Sequence, residues 1–189
     1  IIQSWDTAFT KTNHSDYSAC TTWGVFKLRT PEGRLAPQIM LLDAWQDRVE
    51  FPRLKQQAQI MYQEWSPNSV VVEGRGSGQP LIFELRAMGL PIAEAMPARG
   101  NDKLSRVNAI SDMFQSGFVW FLPKKMNESV IEQFNNFPYD DHDDLVDSST
   151  QALQRAREGL LVGASYDSID LTEEEDYRPR RLWRHERIY

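Results

Sequence analysis

An acidic stretch between Asp140 and Asp147 holds the residues that are best suited to chemistry. Five aspartates fall within these eight residues. Like charges this close repel one another, so the needs of a stable fold explain the cluster poorly. A divalent cation would explain it, because carboxylate oxygens are the protein donors that Mg²⁺ and Mn²⁺ prefer. The alternative is an Asp-rich helix N-cap whose acidic first turn is solvated.

The spacing within this stretch predicts a helix that begins near Asp143. The apolar residues recur at helical intervals at Leu145, Val146, Ala152 and Leu153. Residues three apart share a helix face, so Asp144 and Asp147 would point the same way. Asp143 pairs with Asp147 less directly, at four residues. Asp140 and Asp141 precede the helix and would face solvent.

Two further carboxylates lie on predicted strands. Asp6 lies in the first β-prone run, and Glu73 closes the β-branched run that begins at Ser69. Carboxylates at strand ends and at a nearby helix start can converge on one crevice. The alternative for Asp6 is a polar residue at a sheet edge, whereas a buried and ionised Glu73 needs a partner or a metal. Such a set can hold two divalent ions about 3.5–4 Å apart, activate a water and stabilise the leaving oxygen of a phosphodiester.

Basic residues outside the acidic cluster are candidates for contacts with a nucleic-acid backbone. Lys103 and Arg106 lie three residues apart on one predicted helix face. The further candidates are Lys11, Arg75, Lys124 and Lys125. A solvated surface cation is the alternative for each of them. His142 is a candidate ligand, proton carrier or turn residue, and the turn is favoured.

The elements around these residues predict an α/β fold, with a mixed sheet flanked by helices. Strands are expected over residues 1–9, 18–28, 38–45, 69–73, 90–95 and 118–122. Helices are expected over residues 51–65, 81–88, 102–114 and 128–134, and from residue 143 onward. The first three strands have connections too short for crossovers and should form an antiparallel meander, whereas residues 69–73 read as a buried parallel strand. The glycine-rich segment from Gly74 to Gly78 is interpreted as a tight strand-to-helix turn, with a phosphate contact as the alternative.

Composition limits the class of protein. The chain has 189 residues, of which 41% are hydrophobic and 25% charged, which suits one globular domain and a tail. We expect the domain over residues 1–163 and a flexible or partner-binding tail over residues 164–189. Cys20 is the single cysteine, which excludes a disulfide framework and indicates a reducing, cytosolic setting. The net charge of −6 argues against a general nucleic-acid coat protein.

Residues 1–157 resemble the nuclease domain of tailed-phage large terminase subunits, of the ribonuclease H/RuvC-like fold. The resemblance is carried by residues 5–8 and 15–18, 71–73, 102–106 leading to 116–119, and 142–147. Related resolvases carry a final Asp-x-x-Asp pair, which matches Asp144 and Asp147. Terminases vary in the final acid that they use, so this assignment stays open. The chain starts at Ile1, and we expect it to be an excised domain of a longer protein.

The resemblance implies a metal-dependent DNA endonuclease that cuts concatemeric genomic DNA when packaging starts and ends. It implies two divalent ions, Mg²⁺ or Mn²⁺, held by Asp6, Glu73 and one or more of Asp143, Asp144 and Asp147. The implied partners are double-stranded DNA, the portal protein, the small terminase subunit and the ATPase motor domain of the same full-length chain. No G-x-x-x-x-G-K-[ST] motif occurs, so the motor itself is absent. The implied location is the host cytoplasm, at the portal vertex of the procapsid, with no membrane contact.

Two alternatives stay open. A junction resolvase or a ribonuclease H of the same fold would use the same acids on a different substrate. A docking module of the packaging motor is an alternative of another class. Its acids would be structural, its basic tail would bind a portal or motor partner, and it would cleave nothing.

Overall fold

The computed structural model describes residues 1–8, 17–29, 31, 33–74, 78–95, 103–140 and 142–163. Its strands are β1 (Ile2–Asp6), β2 (Ser18–Arg29), β3 (Leu35–Asp47), β4 (Ser69–Glu73), β5 (Ile92–Ala95) and β6 (Val119–Phe121). Its helices are α1 (Phe51–Trp65), α2 (Gly78–Ala87), α3 (Lys103–Asn108), α4 (Ser111–Gln115), α5 (Lys125–Asn136) and α6 (Asp144–Gly163). Among these described helices, none has the length and apolar character that crossing a membrane requires.

The strands form one mixed sheet in the order β5-β4-β1-β2-β3-β6. The predicted meander is confirmed, because β1 pairs with β2 and β2 with β3, both antiparallel. The predicted parallel strand is confirmed as β4, which lies between β1 and β5 and pairs with both in parallel. The short strand β6 adds in parallel to β3 at the far edge. The α/β fold expected from the sequence, a mixed sheet flanked by helices, is therefore correct.

Each face of the sheet has its own hydrophobic core. The core under α1 and α2 includes Trp5, Cys20, Leu54, Val72, Leu81 and Leu85. The core under α6 and α5 includes Trp23, Leu41, Ile110, Val130, Leu145 and Leu153. Side chains alternate across a strand, which is how neighbouring strand residues reach different cores. Burying one such large apolar side chain contributes about 1.5–3 kcal/mol, so both faces hold the sheet in place.

Several predicted boundaries are wrong. β1 stops at Asp6 instead of continuing to Phe9, which lies outside the described residues. The single helix expected over residues 102–114 is two short helices, α3 and α4. The chain turns between them so that Ile110 enters the core, whereas Leu104 is left 48% exposed. The apolar residues of this segment therefore do not form one continuous buried face of a single helix. α5 begins at Lys125, earlier than the predicted Glu128.

Candidate active site

Asp6 and Glu73 are the last residues of neighbouring parallel strands, so they lie together where these two strands end. The register pairs Trp5 with Val72, which places the next residues, Asp6 and Glu73, side by side. Trp5 and Val72 pack in the core under α1 and α2. Because successive side chains alternate, Asp6 and Glu73 face the opposite side of the sheet, which α6 covers.

Buried hydroxyl groups fix α6 against that side. Ser148 Oγ donates a hydrogen bond to the carbonyl oxygen of Ser4 on β1 at 2.8 Å. The same hydroxyl lies 2.9 Å from Thr21 Oγ1 on β2. Ser148 is fully buried. These contacts set the first turns of α6 over the strand that ends at Asp6.

The first turn of α6 brings two buried carboxylates to the site. Asp144 and Asp147 are only 8% and 5% exposed. Asp144 Oδ2 accepts a hydrogen bond from Gln46 Nε2 of β3 at 3.1 Å. Gln46 Oε1 accepts in turn from Gln133 Nε2 at 3.2 Å, and Gln133 Oε1 accepts from the Leu145 N–H at 3.0 Å. A chain of amides therefore orients Asp144 and caps the start of the helix.

Two cations from α3 approach the same acids. Lys103 Nζ lies 2.5 Å from Asp143 Oδ1 and 2.8 Å from Asp147 Oδ2. Arg106 Nη2 lies 3.0 Å from Asp147 Oδ1, and Arg106 Nη1 lies 3.8 Å from Glu73 Oε2. Burial opposes the charge on Lys103, but its hydrogen bonds to Asp143 and Asp147 raise the pKa of the ammonium overall. α3 thus neutralises part of the acidic cluster.

Besides Arg106 on α3, Glu73 contacts a residue of α6. Gln151 Nε2 donates to Glu73 Oε2 at 3.4 Å, and Gln151 is 8% exposed. Sequence reasoning missed Gln46, Gln133 and Gln151 as site residues. The only available signal was the position of Gln151 on α6, seven residues after Asp144 and four after Asp147, which places it on the same helix side.

The pKa of the Asp6 carboxyl is strongly perturbed. It is raised to about 8, mainly by burial and further by repulsion from Asp147, Asp144 and Glu73, while Lys103 opposes the shift. A carboxyl in this position is protonated near neutral pH unless a cation compensates its charge. A divalent ion is a natural compensating group among so many oxygen donors.

The carboxylates converge on one edge without enclosing an ion. Among the described residues, no group of three or more His, Cys, Asp and Glu side chains is set to hold a metal ion. Repulsion among the acids is partly offset by the cations Lys103 and Arg106. The donor set is all oxygen, which suits Mg²⁺ or Mn²⁺.

The remaining predicted residues are not brought to this cluster. Lys124 Nζ lies 3.3 Å from Asp43 and over the ring of Trp65, so it belongs to the face that α1 covers. Lys125 is exposed at the start of α5, and Asp140 is exposed before α6. His142 packs edge-on against the Tyr17 ring, with ring centroids 4.8 Å apart. The candidates that lie outside the described residues are Lys11, Arg75 and Asp141.

The turn after β4 requires glycine at its far end. A Cβ at Gly78 would lie 1.7 Å from the carbonyl oxygen of Glu73, a distance that no side chain tolerates. A Cβ at Gly74 would meet the Glu94 side chain at 2.3 Å. The close return of the backbone agrees with a tight strand-to-helix turn. Residues 75–77 lie outside the described part.

Comparisons with known structures agree with this architecture. The large terminase nuclease from thermophilic phage G20c with bound magnesium gives a TM-score of 0.60 at 14% identity, covering 82% of this chain and 80% of that one. The same nuclease with bound zinc gives 0.57 at 16% identity, with the same coverage. The large terminase nuclease domain of Thermus phage P74-26 gives 0.53 at 15% identity, covering 80% of this chain and 77% of that one. Likeness at these identities shows a shared fold.

The family comparison goes further. Comparison with curated proteins gave no significant match. The family described as "Terminase RNaseH-like domain" matches residues 3–156, from the start of β1 well into α6. The matched range contains both strand-end acids and the whole N-terminal half of α6. Because this match spans most of the chain, the protein belongs to the family of terminase ribonuclease H-like domains.

Proposed function

We propose that this domain is a metal-dependent endonuclease that hydrolyses the phosphodiester bonds of double-stranded DNA. The observation that carries the proposal is the convergence of Asp6, Glu73, Asp144 and Asp147 at one edge of the sheet. Burial and mutual repulsion at this edge raise the pKa of Asp6 to about 8, and a bound cation would offset that repulsion. Membership of the terminase family supports a nuclease role in DNA packaging.

The metal ions are part of the proposal. Asp6, Glu73 and Asp144 would hold them, with Asp143 and Asp147 as further candidates. Bound in pairs, Mg²⁺ or Mn²⁺ supply an activated water and stabilise the charge that develops on the leaving oxygen. The G20c nuclease has been crystallised with bound zinc, with bound magnesium and with bound cobalt, which supports a site for divalent ions.

The protein's own side chains orient the acids and meet the substrate. The Gln46 amide fixes one oxygen of Asp144, and the Gln151 amide fixes one oxygen of Glu73. Lys103 and Arg106 supply positive charge beside these acids, where the phosphates of a DNA strand would lie.

The biological setting follows from the family and is likewise a proposal. The domain would cut concatemeric genomic DNA at the start and end of packaging. It would act beside an ATPase motor domain of its full-length chain, with the portal protein and small terminase subunit as partners. The place would be the host cytoplasm, at the portal vertex of the procapsid.

The test is cleavage of supercoiled plasmid by the purified chain. Cleavage should require Mg²⁺ or Mn²⁺ and should stop when EDTA is added. Asp6→Asn is nearly isosteric and should abolish cleavage while the circular dichroism spectrum is unchanged. Full activity of a folded Asp6→Asn protein would contradict the proposal.

The same assay separates the alternatives. A four-way junction and an RNA–DNA hybrid are offered beside linear duplex DNA under the same conditions. Preference for the junction would indicate a resolvase, and preference for the hybrid would indicate a ribonuclease H. Absence of metal-dependent cleavage on all three substrates would leave the docking module.

A further inference from the structure

Asp147 differs from the other acids in what its oxygens contact. Oδ2 lies 2.8 Å from the Lys103 ammonium, and Oδ1 lies 3.0 Å from the Arg106 guanidinium. The Asp147 side chain is only 7% exposed. Asp144, by contrast, accepts from the neutral amide of Gln46. Both oxygens of Asp147 are therefore committed to cations.

This commitment makes Asp147 a poor candidate for a metal ligand. A metal at Asp147 would have to share its oxygens with Lys103 and Arg106, or displace two charge-assisted hydrogen bonds in a nearly buried position. Losing a partner from a nearly buried ion pair is strongly destabilising, because the other charge is left without compensation. In either case Lys103 and Arg106 would lie beside a dication, which repels them.

Part of the Arg106 guanidinium makes no hydrogen bond to the described residues. Its side chain is 12% exposed, and in the described part of the chain its Nε and Nη1 are buried without a hydrogen-bond partner. Nη1 lies 3.8 Å from Glu73 Oε2, which is too long for a hydrogen bond. Unpaired guanidinium donors at a buried site are costly and call for an acceptor. A phosphate offers several acceptor oxygens in the geometry that a guanidinium fits.

Lys103 completes the arrangement. Its side chain is 49% exposed, so part of it is accessible to solvent. An ammonium has three donors, and Asp143 and Asp147 account for two of them. The two cations thus lie side by side, anchored through Asp147, and Arg106 also lies next to Glu73.

We propose that Asp147 is a positioning residue and not a metal ligand. It holds Lys103 and Arg106 at the site so that their spare donors bind the phosphate oxygens of the DNA strand to be cut. Asp6, Glu73 and Asp144 then remain as the acids that hold metal. This inference rests on the proposed nuclease function and assigns different roles to the acids of its site.

A double-mutant cycle tests the inference in the full chain. The variants are Asp147→Asn, the pair Lys103→Met with Arg106→Met, and all three together. In the parent background, Asp147→Asn should lower kcat/KM for plasmid cleavage about 30-fold. In the background without the two cations it should lower it by less than about 3-fold, because a residue that acts through its partners loses its effect when they are gone. Full additivity would overturn the inference.

Titration calorimetry with Mn²⁺ alone gives a readout that does not depend on cleavage. Asp144→Asn should weaken Mn²⁺ binding by more than about 10-fold, the usual cost of losing part of a metal's support. Asp147→Asn, made in the background without the two cations, should change it by less than about 3-fold. Equal losses for Asp144→Asn and Asp147→Asn would assign Asp147 as a ligand and overturn the inference.

DNA binding in EDTA tests the role of the cations. Anisotropy of a labelled 30-base-pair duplex, about three helical turns long, is measured across a salt series. Lys103→Met with Arg106→Met should reduce the slope of log affinity against log salt by about 1–2, one phosphate contact per cation. The matched control is Lys27→Met with Arg29→Met. These two exposed cations lie at the end of β2 that is far from the acids, and the slope for this double variant should stay that of the parent. Equal slopes in both double variants would overturn the inference.

Folding failure of Asp147→Asn does not block the test. Arg106→Lys keeps the charge but loses the planar fork. It should lower kcat/KM for DNA while leaving Mn²⁺ affinity unchanged, and an unchanged kcat/KM would overturn the inference. A parent chain that cleaves no DNA would overturn the proposed function and this inference together. A parent that cleaves, with an additive cycle, would overturn the inference alone.

Discussion

The folded protein disfavours the ionised form of the Asp6 carboxyl when no cation lies beside it. Its pKa is raised to about 8, first by burial and then by Asp147, Asp144 and Glu73. In an unfolded chain the same carboxyl would titrate near its ordinary value of about 3.9. Between these values the folded state binds a proton that the unfolded state does not. Rising pH therefore lowers the free energy of unfolding through this window.

We predict that Asp6→Asn stabilises the metal-free protein, and more strongly at higher pH. Asn cannot ionise, so the variant escapes the loss that the parent suffers between about pH 4 and pH 8. The gain should be small at pH 5 and reach the order of 1–3 kcal/mol at pH 8–9. The measurement is urea unfolding in EDTA at pH 5, 6.5, 8 and 9.

Two controls accompany this prediction. Asp140→Asn changes an exposed aspartate and should leave the pH dependence of stability as in the parent. Adding Mn²⁺ at pH 8 should stabilise the parent by mass action and should stabilise Asp6→Asn much less. A stability difference between Asp6→Asn and the parent that is the same at every pH would contradict the raised pKa.

At the scale of elements, the site depends on how α6 and α2 are joined to the sheet. α6 is tied to β1 and β2 through the Ser148 hydroxyl. α2 begins at Gly78, where the backbone returns to the carbonyl of Glu73. Both contacts lie next to acids of the candidate site, so small shifts of either helix move these acids. Each contact can be tested by one substitution with a matched partner.

Ser148→Ala should lower the free energy of unfolding by about 1–2 kcal/mol, because it removes a buried hydroxyl that bridges Ser4 and Thr21. The adjacent Ser149 is equally buried, but within the described residues its hydroxyl has no hydrogen-bond partner. Ser149→Ala should therefore change stability by less than about 0.5 kcal/mol, or raise it. Urea denaturation of the two variants makes the comparison. An equal loss of unfolding free energy in the two variants would mean that the hydrogen bonds of Ser148 add no stability.

Gly78→Ala should destabilise the protein by roughly 2–4 kcal/mol, since a methyl group at 1.7 Å from a backbone oxygen forces the chain to move. The movement starts at Glu73, so plasmid cleavage should fall even at temperatures where the variant is fully folded. Gly159→Ala is the matched control, because a Cβ there meets nothing within 4 Å. That variant should be neutral or more stable by up to about 1 kcal/mol. Normal cleavage by a folded Gly78→Ala protein would contradict the tight turn.

At the scale of the whole molecule, the two cores close before the end of α6. The last described core residue in sequence is Ala156. All the described strands and helices begin before this point. The domain expected over residues 1–163 thus contains the cores and all the acids of the candidate site, while the expected tail over residues 164–189 lies outside the described residues.

A chain that ends at Gly163 should keep its melting temperature within about 2 °C of the parent, a change of at most about 1 kcal/mol. The reason is that every residue of the two described cores lies before the end of α6. Plasmid cleavage should be retained within a few-fold. Differential scanning calorimetry of the two chains makes the comparison. A fall of about 10 °C or more would show that residues 164–189 pack on the domain.

The sequence by itself determined the strands and most of the helices, and it named the candidate acids. The β-branched run ending at Glu73 predicted a buried parallel strand, and the spacing after Asp143 predicted the start of α6 to within one residue. Both succeed because periodicity and residue type report local structure directly. The order of the motifs was enough to indicate the terminase family.

Only the tertiary structure decided what each acid contacts. Gln46 reaches Asp144 across 98 positions of sequence, and Gln151 reaches Glu73 across 78. No local pattern marks such pairs, because they depend on the relative placement of α6 and the sheet. The same holds for Lys103 and Arg106, whose spacing predicted a shared face but not that the face turns inward onto Asp147. A helix pattern shows which residues lie together, whereas packing decides what they meet.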